Sequence, residues 1–340
     1  ALKGFEEDFA QAPTNAHISE YTPETGFSIV AETQGNELDQ AKTLEVISNA
    51  VEELKGLVDL DAEGCYETPA VTSDSEELQN TLQKLQKYGT VTITYRFGDN
   101  IEVLDGSTIS TWLEVDGFAV TLDQTQVENY VATLRKKYDS IFRSRTFMTS
   151  YGKEITVDGG DYGWWMNYQQ EAKELAAQIE TGESKERTPV YYQTAASYGA
   201  PDYGDTYVEI NLTAQHLFFY KDGQLVMESD FVSGNSARGY DTPEGTYSIT
   251  YKQRNATLVG ENYETPVSYW MPFNKNIGMH DATWRSSFGG TIYKTKGSHG
   301  CINMPYEKAQ ELYGYIEKGT PVICYHLAGT ERSTESELEK

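Results

Sequence analysis

At 340 residues, with 38% hydrophobic side chains, the chain is long enough for two or three domains with cores of their own and too apolar to be disordered. A formal net charge of −25 repels nucleic-acid phosphates and anionic membrane surfaces, and no run of 18 apolar residues exists to span a bilayer. The three cysteines, Cys65, Cys301 and Cys324, form neither a CxxC pair nor a paired framework, which argues against a zinc ribbon or a disulfide scaffold.

The charge is uneven. Residues 205–340 carry 12 basic and 17 acidic side chains, net −5, which leaves −20 for residues 1–204. Tyrosine is frequent, at 25 residues, as suits strands and surfaces that meet carbohydrate or peptide. The chain starts at Ala1 without a signal-peptide pattern, which reads as a fragment or a processed form.

In chain order, a short helix-like segment precedes a strand at Gly26–Val30. Leu38, Ala41, Leu44, Ile47, Val51 and Leu54 then recur at helical spacing up to the Lys55-Gly56 stop, and Val58–Leu60 reads as a return strand. A second unit begins near Val71. Ser73-Asp74-Ser75-Glu76 opens a helix through Lys87, Thr90–Tyr95 is β-branched and alternating, and Phe97–Ile101 is a hairpin turn. A helix follows over 124–138, then a hairpin of Thr146–Thr149 and Glu154–Val157 about Tyr151-Gly152, then a helix over Tyr168–Ile179. The order strand, acidic turn, helix, proline-terminated strand appears in 26–69 and again in 153–191, a faint echo.

Residues 193–205, rich in Ala, Ser, Gly, Asp and Pro, are the best linker. Beyond it the pattern changes to short strands at Thr206–Leu212, His216–Tyr220, Leu225–Val232 and Thr246–Tyr251. One main helix, Tyr306–Glu317, and a last strand, Pro321–Tyr325, complete it. The fold class is therefore an α+β N-terminal region over 1–192, in one or two sub-units of about 1–70 and 71–192. A mostly-β domain over 206–326 follows, a β-sandwich or curled barrel, with a polar tail at 327–340.

The chemistry concentrates in Ser298-His299-Gly300-Cys301-Ile302-Asn303. Cysteine is a good nucleophile only as thiolate, and a nearby imidazole lowers its pKa and takes its proton. His280 stands upstream, just after strand-like Ile277-Gly278-Met279, and 15 residues (Thr283–Gly297) separate His280-Asp281-Ala282 from Ser298. The constellation reads as a cysteine acyl-transfer centre with Cys301 as nucleophile. His280 is the better candidate base because it comes from a separate, rigid element; His299 is either the base or a residue that shapes the pocket. Gly300 allows close backbone approach to a substrate, and the N–H groups around Gly300 and Cys301 can hold an oxyanion. Ser298 and Asn303 hold the loop and contact substrate. Trp284, Arg285 and Phe288 lie between the two motif halves, on a segment that covers the cleft. Arg285 meets either a substrate carboxylate or a surface acid. A metal site of His280, His299 and Cys301 lacks an obvious fourth ligand. Cys65, Cys324, His17, His216 and His326 read as structural.

His280-Asp281-Ala282, the 15-residue spacer and Ser298–Asn303 together resemble the signature of the L,D-transpeptidase catalytic domain, also called the YkuD domain, with no departure from it. The resemblance covers roughly Thr206 to Tyr325. The region before it is similar to accessory modules that precede this domain in Firmicutes cell-wall enzymes. The resemblance implies a peptidoglycan L,D-transpeptidase. Cys301 would displace D-alanine from a tetrapeptide stem, and an amine of a neighbouring stem would attack the thioester to give a 3→3 cross-link. It implies His280 as base, oriented by a backbone carbonyl such as that of Asp281, with His299 in support. It also implies acylation by carbapenems, no cofactor and no metal. The location it implies is extracytoplasmic, at the cell wall of a Gram-positive-type bacterium, with any membrane link through an upstream anchor. An L,D-carboxypeptidase, with water as acceptor, and a catalytically idle wall-binding or scaffolding protein are the alternatives.

Overall fold

Two compact units emerge in a computed structural model that describes residues 10–260 and 263–332. One gathers the chain up to Arg96 with Asn100–Val131 and Gln169–Thr188; the other holds Phe97–Asp99, Ala132–Tyr168 and the chain from Pro189 onward. The helix-like start and the end of the polar tail fall largely outside the described residues.

The first unit is α+β. Its three-stranded sheet orders Lys185–Arg187, Ile93–Phe97 and Asn100–Leu104, the first pair parallel and the second a hairpin. Helix Glu76–Gly89 buries Leu78, Leu85 and Tyr88, and helix Tyr168–Thr181 buries Ala172, Leu175 and Ile179, each at helical spacing. Tyr95, buried in the sheet, donates its hydroxyl to Glu171 at 2.5 Å, and Arg187 closes on the same carboxylate at 2.9 Å. A buried acid is tolerable only when so partnered.

Two expectations change here. Val58–Leu60 is a turn, not a strand: Asp59 Oδ1 accepts from the N–H groups of Asp61 and Ala62, a local arrangement that displaces strand pairing. The strand at 26–30 shrinks to Ile29–Val30, paired with His17–Ile18. A short helix at Gly106–Ser110, capped by Asp105 on the Thr108 N–H, and a hairpin of Leu113–Asp116 with Ala119–Leu122 were not foreseen.

The second unit is mostly β. Nine strands make two sheets: β1 (Tyr207–Asn211), β2 (His216–Lys221), β3 (Gln224–Asp230), β4 (Gly245–Ser248), β5 (Gln253–Gly260), β6 (Tyr263–Asn274), β7 (Ile277–Asp281), β8 (Ile302–Met304) and β9 (Pro321–Tyr325). A five-stranded sheet has the order β3-β2-β1-β9-β4 and a four-stranded sheet the order β5-β6-β7-β8. Their facing side chains form one core. Val208, Ile210, Leu217 and Phe219 come from the first, and Met271, Phe273, Met279 and Ile302 from the second. Helix α1 (Tyr306–Tyr315) adds Ala309 and Leu312 to that core.

The other face of the five-stranded sheet is covered too. Phe147, Val157 and Tyr162, from the hairpin about Tyr151-Gly152 and the turn after it, pack with Tyr203, Ile323 and Tyr325. This is why every residue of Pro321–Tyr325 is buried, with no polar alternation. The 193–205 segment packs within this unit. Tyr198 stacks on Trp164 at 3.8 Å, and buried Arg145 binds Asp202 at 2.7 Å.

The long β5–β6 hairpin escaped the sequence reading because Pro266 and Pro272 argue against strands. Pro272 sits opposite Gly278 in β7, where a Cβ would come within 2.7 Å of the proline Cα. The glycine permits the pairing that carries β7 on to His280.

Candidate active site

Two parallel strands bring the motif halves together. In the β7–β8 ladder Met279 lies beside Ile302, His280 beside Asn303 and Asp281 beside Met304. Cys301 stands immediately before β8, so thiol and imidazole come from the ends of adjacent, hydrogen-bonded strands. The loop that delivers Cys301 is pinned from the other sheet. Val232 and Asn303 exchange backbone hydrogen bonds at 2.9 Å, and Ser298 and Asn235 or Ser233 do likewise at 2.9 Å. Ser298 Oγ donates to the Cys301 carbonyl at 2.6 Å and accepts the Gly300 N–H at 3.0 Å. Thr242 Oγ1 holds the Gly300 carbonyl at 2.7 Å. Gly300 has φ +120°, a conformation that side chains rarely adopt.

His280 is 3% exposed and lies between two indoles, Trp270 and Trp284, each ring centre 5.9 Å away. Its Nδ1–H donates to the Asp281 carbonyl at 2.8 Å, which leaves the lone pair on Nε2. The Asn303 Nδ2–H donates to that lone pair at 3.0 Å, and the Asn303 Oδ1 accepts from Arg285 Nε at 2.8 Å. The orientation of the Asn303 amide is thus fixed from both ends. The Asp281 carboxylate faces elsewhere: its Oδ1 accepts the N–H groups of Ser268 and Tyr269, both at 2.8 Å, and ties β6 to β7.

Burial holds both groups toward their neutral forms. Burial lowers the pKa of His280, only partly opposed by the Asp281 carbonyl. Burial also pushes the Cys301 thiol up to about 11, with the Gly278 N–H working in the opposite direction. The thiol points at the Asn276 carbonyl, 3.6 Å away. The surroundings of the two groups therefore favour a neutral thiol beside a neutral imidazole.

A cavity of about 250 Å³ opens on these groups. His280, Trp284, Arg285, Ser298, His299, Cys301 and Asn303 all line it, joined by Gly297 and by Leu258 and Thr265 from the β5–β6 hairpin. Gly300 lies buried behind it. His299 is exposed, its ring 4.7 Å from that of Tyr240. Trp284 is half exposed. Arg285 binds Asn303 and, through Nη1, the Lys296 carbonyl at 2.9 Å.

Sequence reasoning missed Asn276 and Gly278, which contact the sulfur through backbone groups, and Leu258, Thr265 and Trp270, which shape the cavity and flank the imidazole. No motif contains them; only the unforeseen hairpin brings three of them in. Cys65 and Cys324 are fully buried in their own surroundings. His216 hydrogen-bonds to Asp230 at 2.5 Å and to Glu228 at 3.1 Å. Among the described residues no cluster of His, Cys, Asp and Glu could hold a metal, and no helix is long and apolar enough to cross a membrane.

The sequence profile of the family described as the L,D-transpeptidase catalytic domain (YkuD) matches residues 205–324, and that of the family described as "Putative peptidoglycan binding domain" matches residues 71–187. No protein with a curated description matches. Among solved structures, the crystal structure of an Enterococcus faecium L,D-transpeptidase bearing a cysteine-to-serine substitution is 36% identical, covers 72% of this chain and 100% of its own, with a TM-score of 0.58. The Ldtfm–avibactam carbamoyl enzyme is 36% identical over 73% of this chain and 98% of its own, with a TM-score of 0.59. A mostly-β catalytic domain behind an α+β region, with such relatives along nearly their whole length, places this chain in the L,D-transpeptidase family.

Proposed function

We propose that the protein is a peptidoglycan L,D-transpeptidase that works through a Cys301 thioester. The observation that carries this is the cavity that Cys301, His280 and Asn303 line together, with Cys301 just before β8 and His280 on the adjacent, paired strand β7. His280 Nε2 takes the thiol proton as Sγ attacks the carbonyl of the third stem residue. A neutral base and a neutral thiol suit this order, since proton transfer and attack then occur together beside the indoles of Trp270 and Trp284. For that, the Nε2 lone pair must leave the Asn303 amide and the thiol must leave the Asn276 carbonyl. The Asn303 amide, held by Arg285, keeps the ring in register until then, so Arg285 is a positioning residue.

The Gly300 N–H is already given to Ser298 Oγ, so the Cys301 N–H is the backbone donor proposed for the oxyanion, a contact of the kind worth about 3–4 kcal/mol. His280 returns its proton to the departing D-alanine amine, leaving the thioester. A side-chain amine of a neighbouring stem then attacks, giving a 3→3 cross-link. Carbapenems fit the same site, because a strained lactam carbonyl offers the thiol an equivalent target; a relative is known as a carbamoyl enzyme with avibactam. The catalytic module is proposed to span 206–326 and the region before it to place the enzyme on the wall of a Gram-positive-type cell.

The test is mass spectrometry of products formed from a purified disaccharide-tetrapeptide. Cross-linked dimer with loss of D-alanine is expected. Tripeptide without dimer would make the enzyme an L,D-carboxypeptidase, and unchanged substrate with no covalent adduct would make the domain catalytically idle.

A further inference from the structure

The second unit carries an aromatic wall that takes no part in the thiol cavity. Phe142 is 66% exposed, Trp165 36% and Tyr192 53%. Their rings touch in series, Phe142 to Trp165 at 6.3 Å between centres and Trp165 to Tyr192 at 4.9 Å. Three large rings clustered on a surface are unusual, since burying each would contribute substantially to stability.

Two separate backbone irregularities present them. Phe142 has φ +61°, the left-handed region, which is strained for a bulky side chain. Tyr192 is the extra residue of a β-bulge: Tyr191 pairs with Met166 and Gln193 with Trp165, so Tyr192 is left between them. A bulge of this kind re-aims a side chain, here to the exposed side on which Trp165 lies. The loop beneath is rigid. Buried Arg145 binds both oxygens of Asp202 at 2.8 and 2.7 Å and donates to the carbonyls of Ser140, Arg143 and Tyr162. The N–H groups of Ser140 and Ile141 bind the Trp164 carbonyl at 3.1 and 3.2 Å, tying the Phe142 loop to the strand of Trp165.

Beside Phe142 in the chain, Arg143 edges a cavity of about 700 Å³ that Trp164 and Tyr198 wall. Its charged lining is Lys137, Arg143 and Arg145 against Glu154 and Asp202, a positive balance in a chain of net charge −25. The occupant must therefore offer apolar faces to rings set at 61° and 51° to one another, and acidic groups to the cavity edge. A chain of pyranose rings bearing acidic peptides does both: its CH faces suit aromatic rings, and its twist suits a curved wall.

We propose that Phe142, Trp165 and Tyr192 form a docking platform for the glycan strand of peptidoglycan, with Arg143, next to Phe142 in the chain, receiving carboxylates of the attached stem. This rests on the peptidoglycan reading above and adds where the polymer is held.

The experiment is co-sedimentation of the full chain with intact sacculi and with sacculi stripped of stems by an amidase. Trp165→Ala/Tyr192→Ala should weaken binding to stripped strands about tenfold or more. Phe142→Gly removes the ring while relieving the left-handed strain, so it should weaken binding and leave the melting temperature unchanged or raised. Arg143→Glu should weaken binding to intact sacculi alone. Equal binding of the parent and the aromatic variants to stripped strands overturns the proposal. A change of oligomeric state in those variants, with glycan binding intact, overturns it in favour of a second copy as occupant. Carbapenem adduct formation, read in parallel by intact mass, should match the parent in every variant. Its absence throughout would count against the thioester reading while leaving the platform's own result to stand or fall.

Discussion

The two larger sheets of the second unit each have a buried thiol in or beside a strand, and the two thiols are chemically unlike. Cys324 lies within β9, an interior strand covered on both faces, and burial drives its pKa far above the ordinary thiol range. Cys301 lies at the entrance to β8, the edge strand of the other sheet, and is raised only to about 11, with a backbone N–H and a cavity beside it. Position in a sheet, more than residue type, separates a cysteine shut into a core from one that meets a cavity.

The largest expected effect is at the edge. Cys301→Ala should abolish the carbapenem adduct, whereas Cys324→Ala and Cys65→Ala should keep it; an adduct surviving on Cys301→Ala, seen by intact mass, ends the assignment. His280→Ala comes next, with acylation slowed roughly 10²–10⁴-fold, the usual range for a positioned base.

The pH profile sharpens this. With a depressed His280 pKa, acylation should hold its plateau to below pH 6.5 and fall only on further acidification, as the imidazole protonates. Alkylation of Cys301 by a small reagent should climb toward pH 11, while Cys324 stays unmodified in the folded protein. The same shifts bear on stability. The His280 contribution is full above pH 6.5 and is lost on acidification through its lowered folded pKa. The Cys301 contribution is full below the ordinary thiol pKa and is lost as pH rises toward 11. A melting temperature flat from pH 6.5 down to 4 would contradict a neutral buried imidazole.

Asn303→Ala should slow acylation by a smaller factor, about tenfold or about 1.4 kcal/mol, with Arg285→Ala following it in the same direction. An unchanged rate in both variants would remove the Arg285–Asn303–His280 chain from the mechanism. The smallest kinetic effect belongs to the other sheet. Tyr325→Phe removes the hydroxyl that donates to buried Glu209, a carboxyl already raised by burial. It should cost about 1–3 kcal/mol of stability in denaturant unfolding and leave the acylation rate alone.

Much of this contrast was legible in the sequence. Pro321–Tyr325 announced a buried strand through its unbroken apolar run, and the residue types and spacing of Ser298–Asn303 and His280, with the family signature they resemble, pointed to the residues that line one cavity. What stayed hidden was nonlocal. The β5–β6 hairpin is disguised by Pro266 and Pro272, whose cost is met by pairing with Thr257 and Gly278. With it went the lining residues Leu258 and Thr265 and the indole of Trp270. The Val58–Leu60 turn was misread because two apolar residues, Val58 and Leu60, outweighed the aspartate between them, which binds the N–H groups two and three residues on. The left-handed Phe142 and the bulge at Tyr192 have no composition signal at all.

The bridges from Val232 to Asn303 and from Gly234 to Ser298 stitch the end of one sheet to the catalytic loop of the other, across a gap of roughly seventy residues in sequence. The loop cannot take its shape from local chain alone. The loop around Cys301 thus has its shape only where both sheets are formed and joined along this seam.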